Sequence, residues 1–512
     1  MLDNLALTNP LCKLLDKDRD DFTRADMLDA IRKLEIERLT FHYTGADGQL
    51  KELKLPLGDI RYAERVLAAG ERVDGSSLFK GLVDTACSDL YVVPSYRTAF
   101  VNPFDEKSLD FICRFLDRDG NKASFTPDNI LGISAERFRE STDLDLWALG
   151  ELEFFLLRPG GDEHYTPQEQ AGYHAPAPFF KSGRAVDEMV RLLTRITGAI
   201  KYAHSEVGYL DSLRSEQPML SGMRAEQHEI EFLTRPVEEM GDCISLAKWV
   251  IRNVAHQHGM LATFAPKIEE GIAGNGFHFH MELLENGRNV MSGPEGDLSE
   301  RGRRLVGGLV SYASTLSAFG NTVASSFLRL VPNQEAPTRI CWSDSNRSAL
   351  VRVPLGWSRA QNLSRVVNPT EPDSYQDERG YQTVELRSSD GSAMYHLLLA
   401  GLVTAARHGL TSEGMLELAE ETRVEGNIFA DEELLARLEP LPGSCVAAGR
   451  LLLERRKMYE SAGCFPPQVI DHVARILIAE DDEQLNARLS EMSPEERLDT
   501  AHELMHRDIH RH

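Results

Sequence analysis

Apolar residues recur along this chain with two periods, and the changes of period mark its elements. Over residues 22–38 they fall at helical spacing, with Thr23 placed as an N-cap. Leu39 to Tyr43 and Gln49 to Leu55 alternate instead, which predicts two strands around the turn Gly45-Ala46-Asp47-Gly48. A second helix, the loop Val73-Asp74-Gly75-Ser76-Ser77 and strand-like runs at Leu90 to Pro94 and Thr98 to Asn102 follow. Together they predict a small α+β domain over residues 20–118.

From Leu144 the strands become more apolar and carry charges at fixed spacing. Trp147 to Leu157 is a strongly apolar strand holding Glu151 and Glu153, and side chains at i and i+2 of a strand share a face. Residues 185–206 read as an amphipathic helix ending near Gly208, followed by a polar hairpin. Ala225 to Phe232 repeats the paired-acid spacing with Glu229 and Glu231. A helix over 241–258 and an extended stretch, Leu261 to Pro266, lead through a glycine-rich turn. Phe277 to Leu283 then puts His278 and His280 on one face. A long helix over 302–327 precedes a run bearing Arg329, Arg339, Arg347 and Arg352, and Gln382 to Arg387 sets Glu385 and Arg387 on one face of a further strand. An apolar helix spans 394–410. The chain from about Pro440 reads as helical and polar, its tail carrying His502, His506 and His510 at i+4 steps, which predicts a solvated helix end.

Two carboxylates side by side on an apolar strand repel each other unless a cation lies between them. Paired acids, a His-x-His strand and guanidinium groups able to grip carboxylate or phosphate oxygens bidentately therefore point to a metal-assisted anion site. A length of 512 residues predicts two or more domains. The formal charge of -24 argues against nucleic acid or an anionic membrane as partner, so local positive charge must come from clustered arginines and bound metal. No run approaches a membrane span, the start Met1-Leu2-Asp3-Asn4 lacks a signal peptide's basic and apolar regions, and the scattered cysteines form no CxxC pair, which together predict a cytoplasmic protein. The chain contains no G-x-x-x-x-G-K-[ST], so any nucleotide is held by other means than a P-loop.

In order and spacing these motifs resemble the glutamine synthetases, over roughly residues 20–460. The resemblance rests on Asp74-Gly75-Ser76-Ser77, Glu151-Leu152-Glu153-Phe154, Gln227-His228-Glu229-Ile230, Gly276-Phe277-His278-Phe279-His280, Arg329-Leu330-Val331-Pro332 with Glu335-Ala336-Pro337, Asn346-Arg347-Ser348 with Arg352-Val353-Pro354, and Val384-Glu385-Leu386-Arg387. It implies an α+β architecture: an N-terminal β-grasp-like domain (20–118), a catalytic domain built as an antiparallel-sheet funnel with surrounding helices, like that of the guanido kinases (119–440), and a helical C-terminal extension (441–512). It implies ATP, L-glutamate and ammonia as substrates, two or more Mg²⁺ or Mn²⁺ ions per site, and a homo-oligomer of two stacked hexameric rings. By match, Glu151, His278 and Glu385 would hold one ion, and Glu153, Glu229 and one more acid the other. Gly274, Arg329 and Arg387 would bind glutamate, and His280, Arg347 and Arg352 the ATP phosphates. Asp74, Ser77 and Tyr173 would form the ammonium pocket, with Asp74, Glu335 and Arg347 catalytic.

Several positions depart from the family pattern. Ser221 and Gly222 stand where an acid ligand is usual, and Glu216, on a longer loop, is the expected replacement. Ala273-Gly274 replaces Asn-Gly, Thr383 replaces an arginine, and Asn333-Gln334 replaces Gly-Tyr in the glutamate flap. Two alternatives stay open at this point: a ligase for a larger amine, and a catalytically silent homologue that binds ligands or partners.

Overall fold

The structure, a computed structural model, describes residues 5–84, 88–161, 164–331, 336–357, 362–375 and 379–512. Thr23 caps the first long helix, Arg24–Leu34, in a capping box with Asp26. Strands β1 (Arg38–Thr44), β2 (Leu50–Pro56), β3 (Glu71–Asp74), β4 (Asp89–Pro94), β5 (Phe100–Val101) and β6 (Ser108–Leu116) form one sheet in the order β2-β1-β6-β4-β3, with β5 on β6. β1 and β6 are parallel and the other pairs antiparallel. Phe41, Phe111 and Phe115 fill the core of this small domain.

The large sheet comprises β7 (Asp145–Arg158), β8 (Ile200–Leu210), β9 (Arg224–Phe232), β10 (Arg235–Pro236), β11 (Leu261–Thr263), β12 (Phe277–Glu285), β13 (Arg288–Asn289), β14 (Trp342–Asp344), β15 (Val351–Val353) and β16 (Val384–Leu386). Its order is β14-β15-β16-β12-β7-β9-β8, with β10 and β11 on β7 and β13 on β12. The expected antiparallel sheet is mixed at one edge, where β14 and β15 run parallel. Period-2 alternation divides the faces. Leu146, Ala148, Leu152, Phe154 and Leu156 of β7 join a core shared with Leu193, Ile244, Leu309 and Leu398 of the covering helices. Glu151 and Glu153 lie on the other face.

Two expectations change here. The helix read over 185–206 stops early: it spans Gly183–Thr197, and Gly198 ends it in the left-handed conformation at φ 63°. From Ile200 the chain is strand, so residues 200–206 belong to β8. The C-terminal tail, expected to be solvated, folds back onto the large sheet. His502 and His506 are buried and their rings stack at 5.3 Å, while His510 is exposed. His506 Nε2 lies 2.9 Å from the Ile268 carbonyl, and His502 Nε2 2.6 Å from Glu269. Thr263 donates to the Ile509 carbonyl at 2.7 Å, and Ile509 packs with Phe155, Leu157, Ile268 and Ile272. Residues from 441 onward also share the main core, through Cys445, Leu452, Tyr459 and Val473. No helix among the described residues is long and apolar enough to cross a membrane.

The buried tail makes Ile509 a stability determinant. Ile509→Ala removes a fully packed side chain and is expected to cost about 3 kcal/mol, read as a lowered midpoint in denaturant unfolding. A solvated tail would leave that midpoint unchanged.

Candidate functional site

Strand register brings the charged side chains together in rows across the sheet. Glu151 of β7 stands opposite His278 of β12 on one side and Glu231 of β9 on the other. Glu153 stands opposite Glu229, and Glu229 in turn opposite His204 of β8. His280 pairs in register with Glu385 of β16, which stands opposite Arg352 of β15. Directly opposed residues on antiparallel strands share a face at close range, so one polar surface results. It lines a cavity of about 1300 Å³.

Hydrogen bonds fix the first group. His278 Nδ1 lies 3.1 Å from Glu151 Oε2 and 3.7 Å from Glu385 Oε1. His280 Nε2 lies 2.9 Å from Glu151 Oε1, and its Nδ1 3.0 Å from Thr383 Oγ1. Arg352 and Arg387 each donate to Glu385 at 2.9 Å. Burial is the largest single influence and would push the Glu151 and Glu385 carboxyls up, but His280 and His278 together at Glu151, and His280, Arg387 and His278 together at Glu385, hold both below the ordinary range. Burial disfavours charge on His280 too, yet Glu151 and Glu385 raise it to about 9. For His278 burial prevails and its pKa falls.

The second group is a set of crowded carboxylates. Burial first, then repulsion from Glu206 and Glu229, pushes Glu153 well up. Burial with Glu151, Glu206 and Glu385 does the same to Glu229. Glu231 is raised chiefly by burial although Lys201 pairs with it at 2.6 Å, and its Oε2 is buried with no hydrogen-bond partner. Gln227 Nε2 donates to Glu153 at 3.1 Å and to the Gly274 carbonyl at 3.0 Å, and the Gly276 N–H donates to Glu153 at 2.8 Å.

Three sets of donors lie within 4.8 Å of one another: Glu151, His278 and Glu385; His204, Glu206 and Glu229; Glu151, Glu229 and Glu231. Carboxylates with one imidazole are the donor set that hard and borderline divalent cations take, and a divalent cation would offset the crowding that raises Glu153 and Glu229. The residues present therefore fit divalent ions.

Glu216 is not part of this arrangement. It is exposed in the loop after β8, whose neighbours Ser215 and Gln217 bond to His506. The position beside Glu153 and Glu229 is taken by Glu206, which a bulge between Ser205 and Tyr209 leaves on the site face. Sequence reasoning missed Glu206 and His204 because both lay in a stretch read as helix.

Arg329 is buried, donates to the Ser388 carbonyl at 3.0 Å and approaches His278 Nε2 at 3.4 Å; burial lowers its pKa. Arg387 also bonds the Arg347 carbonyl. The Arg347 guanidinium stands 5.9 Å over the Tyr173 ring. Gly274 and Gly276 sit where no side chain fits: a Cβ at 274 would lie 2.4 Å from the Pro266 carbonyl, and one at 276 would lie 2.5 Å from His278 Nε2 and 2.9 Å from Glu153. The cavity is also lined by Trp357 and Tyr381, whose rings lie 6.1 Å apart, with Lys201 and Arg379, an aromatic and cationic setting that fits a nucleotide. Asp74 and Ser77 are not among the described residues lining the cavity. Asp74 is exposed on the small domain, where Ser77 and Ser76 hold its pKa at about 2. Glu335, Asn333 and Gln334 lie outside the described residues.

Two consequences are testable. Glu206→Ala is expected to weaken Mn²⁺ binding by at least about tenfold in calorimetric titration, while Glu216→Ala leaves it unchanged. Gly276→Ala, which forces a methyl between His278 and Glu153, is expected to lower Mn²⁺ affinity with an unaltered far-UV spectrum.

Comparison with known proteins agrees in both domains. Residues 35–118 match the family model of the glutamine synthetase beta-Grasp domain, and residues 126–493 that of the glutamine synthetase catalytic domain. Glutamine synthetase of Thermus thermophilus is 29% identical over 456 residues, covering 86% of this chain and 92% of the relative. That of Halobacterium salinarum is 30% identical over 397 residues, covering 76% and 78%. Among solved structures, the Plasmodium falciparum glutamine synthetase shares the fold at a TM-score of 0.71 and 19% identity, covering 93% of this chain and 98% of the other. A GmaS–ADP complex does so at 0.69 and 20%, covering 92% and 98%. With both domain models matched in order over nearly the whole length, the chain belongs to the glutamine synthetase family.

Proposed function

We propose that the protein is an ATP-dependent ligase that joins ammonia to L-glutamate, giving L-glutamine, ADP and phosphate by way of γ-glutamyl phosphate. The observation that carries this reading is the meeting, in one cavity, of the cation-ready carboxylates with Arg329, Arg347, Arg352 and Arg387. Divalent ions, when bound, neutralise and orient the phosphoryl oxygens. Glu151, His278 and Glu385 would hold one, and Glu153, Glu206 and Glu229 another. Arg329 would take the α-carboxylate of glutamate beside the bare backbone of Gly274, and Arg387 the γ-carboxylate. His280, Arg347 and Arg352 would face the phosphates of ATP.

The γ-carboxylate oxygen attacks the terminal phosphorus and ADP departs. The amine nitrogen then attacks the acyl carbon, and phosphate leaves carrying the former carboxylate oxygen. Ammonium must lose protons for this, and Asp74 and Glu335 are the acceptors we assign. The low pKa of Asp74 keeps it ionised and able to attract a cation.

Asp74 lies on the small domain, away from the cavity of its own chain. This supports a site completed by the loop Asp74-Gly75-Ser76-Ser77 of a neighbouring subunit, in a homo-oligomer of two stacked hexameric rings. The buried free cysteines, among them Cys113, Cys243 and Cys341, suit a cytoplasmic setting. A second reading, a ligase for a larger amine, draws on the rings of Tyr173, His174, His204 and Tyr202 gathered near Glu206, which offer an organic cation an aromatic surface.

Phosphate release with ATP, Mg²⁺ or Mn²⁺ and glutamate, run against ammonium and a panel of amines, decides between the two readings; no glutamate-dependent release with any amine would reject both. Glu151→Ala and Glu385→Ala are each expected to cut turnover by several orders of magnitude. Mixed oligomers of Asp74→Ala and Arg347→Ala chains are expected to regain part of the activity that each homo-oligomer lacks. No recovery in verified mixed rings would reject the shared site.

A further inference from the structure

His204 has no part in the metal-ligand assignments made from sequence, yet it occupies the second cation group. It stands opposite Glu229 in the β8–β9 register, with Nε2 3.2 Å from Glu229 Oε1. Its Nδ1 is 3.6 Å from Glu206 Oε1. The side chains of His204, Glu206 and Glu229 are only 12%, 14% and 9% exposed, so water contributes little to satisfying them.

The ring's orientation is fixed independently of the acids. Nδ1 lies 3.1 Å from the Ser205 carbonyl. An Nδ1–H donated to that oxygen leaves the lone pair on Nε2, on the side of Glu229, which is how protein imidazoles are commonly set to ligate metals, and donor atoms of His204, Glu206 and Glu229 lie within 4.8 Å of one another. The tilted His174 ring at 4.4 Å and the edge-on Tyr173 ring at 5.4 Å pack against it and hold the plane.

We propose that His204 Nε2 is a direct ligand of the cation held by Glu206 and Glu229. The second centre is then a mixed nitrogen and oxygen site rather than an all-carboxylate one. Mg²⁺ favours oxygen donors and retains its waters, whereas imidazole suits first-row transition ions. The second centre accordingly prefers Mn²⁺ over Mg²⁺ more strongly than three carboxylates would. This rests on the cation-dependent reading above only for the use made of the ion; the ligation itself is read without turnover.

The test loads the full-length protein with Mn²⁺ alone and counts, by pulsed electron paramagnetic resonance, the Mn²⁺ ions per chain with directly coordinated ¹⁴N. Wild type is expected to show two, one from His278 and one from His204. His204→Ala and His278→Ala are each expected to show one, and the ion kept in His204→Ala demonstrates an intact fold. His204→Glu is expected to retain binding but shift the second centre's preference towards Mg²⁺ by roughly tenfold or more. A single nitrogen-coordinated ion in wild type, unchanged in His204→Ala, overturns the proposal. Two such ions without any ligase activity would leave the ligation standing and remove the catalytic reading instead.

Discussion

Crowding of like charge on one buried surface is the constraint around which the large domain is built. Glu151, Glu153, Glu206, Glu229, Glu231 and Glu385 all face one cavity, and register, not chance, puts them there. A carboxylate taken out of water is costly unless it is paired, and partners of two kinds are present. Imidazoles and guanidinium groups relieve Glu151 and Glu385. At Glu153 and Glu229 burial and the neighbouring carboxylates outweigh what Arg329 and the imidazoles offer, and both are pushed up. The sheet tolerates this because its other face is an apolar core packed by helices, which supplies the stability that the polar face consumes.

The same crowding gives Glu385 two possible sets of partners. Arg352 and Arg387 grip it from either side, and His278 and His280 approach it within 4 Å. A cation held by Glu151, His278 and Glu385 would compete with those arginines for the same oxygens, and Glu385 would then couple cation binding to the binding of a carboxylate or phosphate by either guanidinium. Arg329 is held differently, by the Ser388 carbonyl and beside His278 Nε2 rather than by Glu385.

Much of this was legible in the sequence where strands obey a strict two-residue period with apolar flanks. Glu151 with Glu153, His278 with His280, and Glu385 with Arg387 were placed on shared faces by that rule alone. It failed at β8 because Lys201, His204 and Glu206 continue the charged rhythm of the helix Gly183–Thr197 at a spacing either structure accommodates. Gly198, with its positive φ, was the signal that the helix had ended. Missing it sent the expected acid to Glu216, past a bulge that no pattern of hydrophobicity reveals. The tail misled for a tertiary reason: histidines at i+4 spacing look solvated until Ile268 and Glu269 bury them. Asp74 is not among the described residues that line the cavity of its own chain.

On the function proposed above, this surface activates a glutamate carboxylate by phosphorylating it. The most direct measurement supplies glutamate labelled with ¹⁸O in the γ-carboxylate, together with ATP, Mn²⁺ and the amine that supports turnover, and follows the label by mass spectrometry. The account predicts one ¹⁸O transferred to inorganic phosphate for each amide formed. Amide formation with unlabelled phosphate would contradict it.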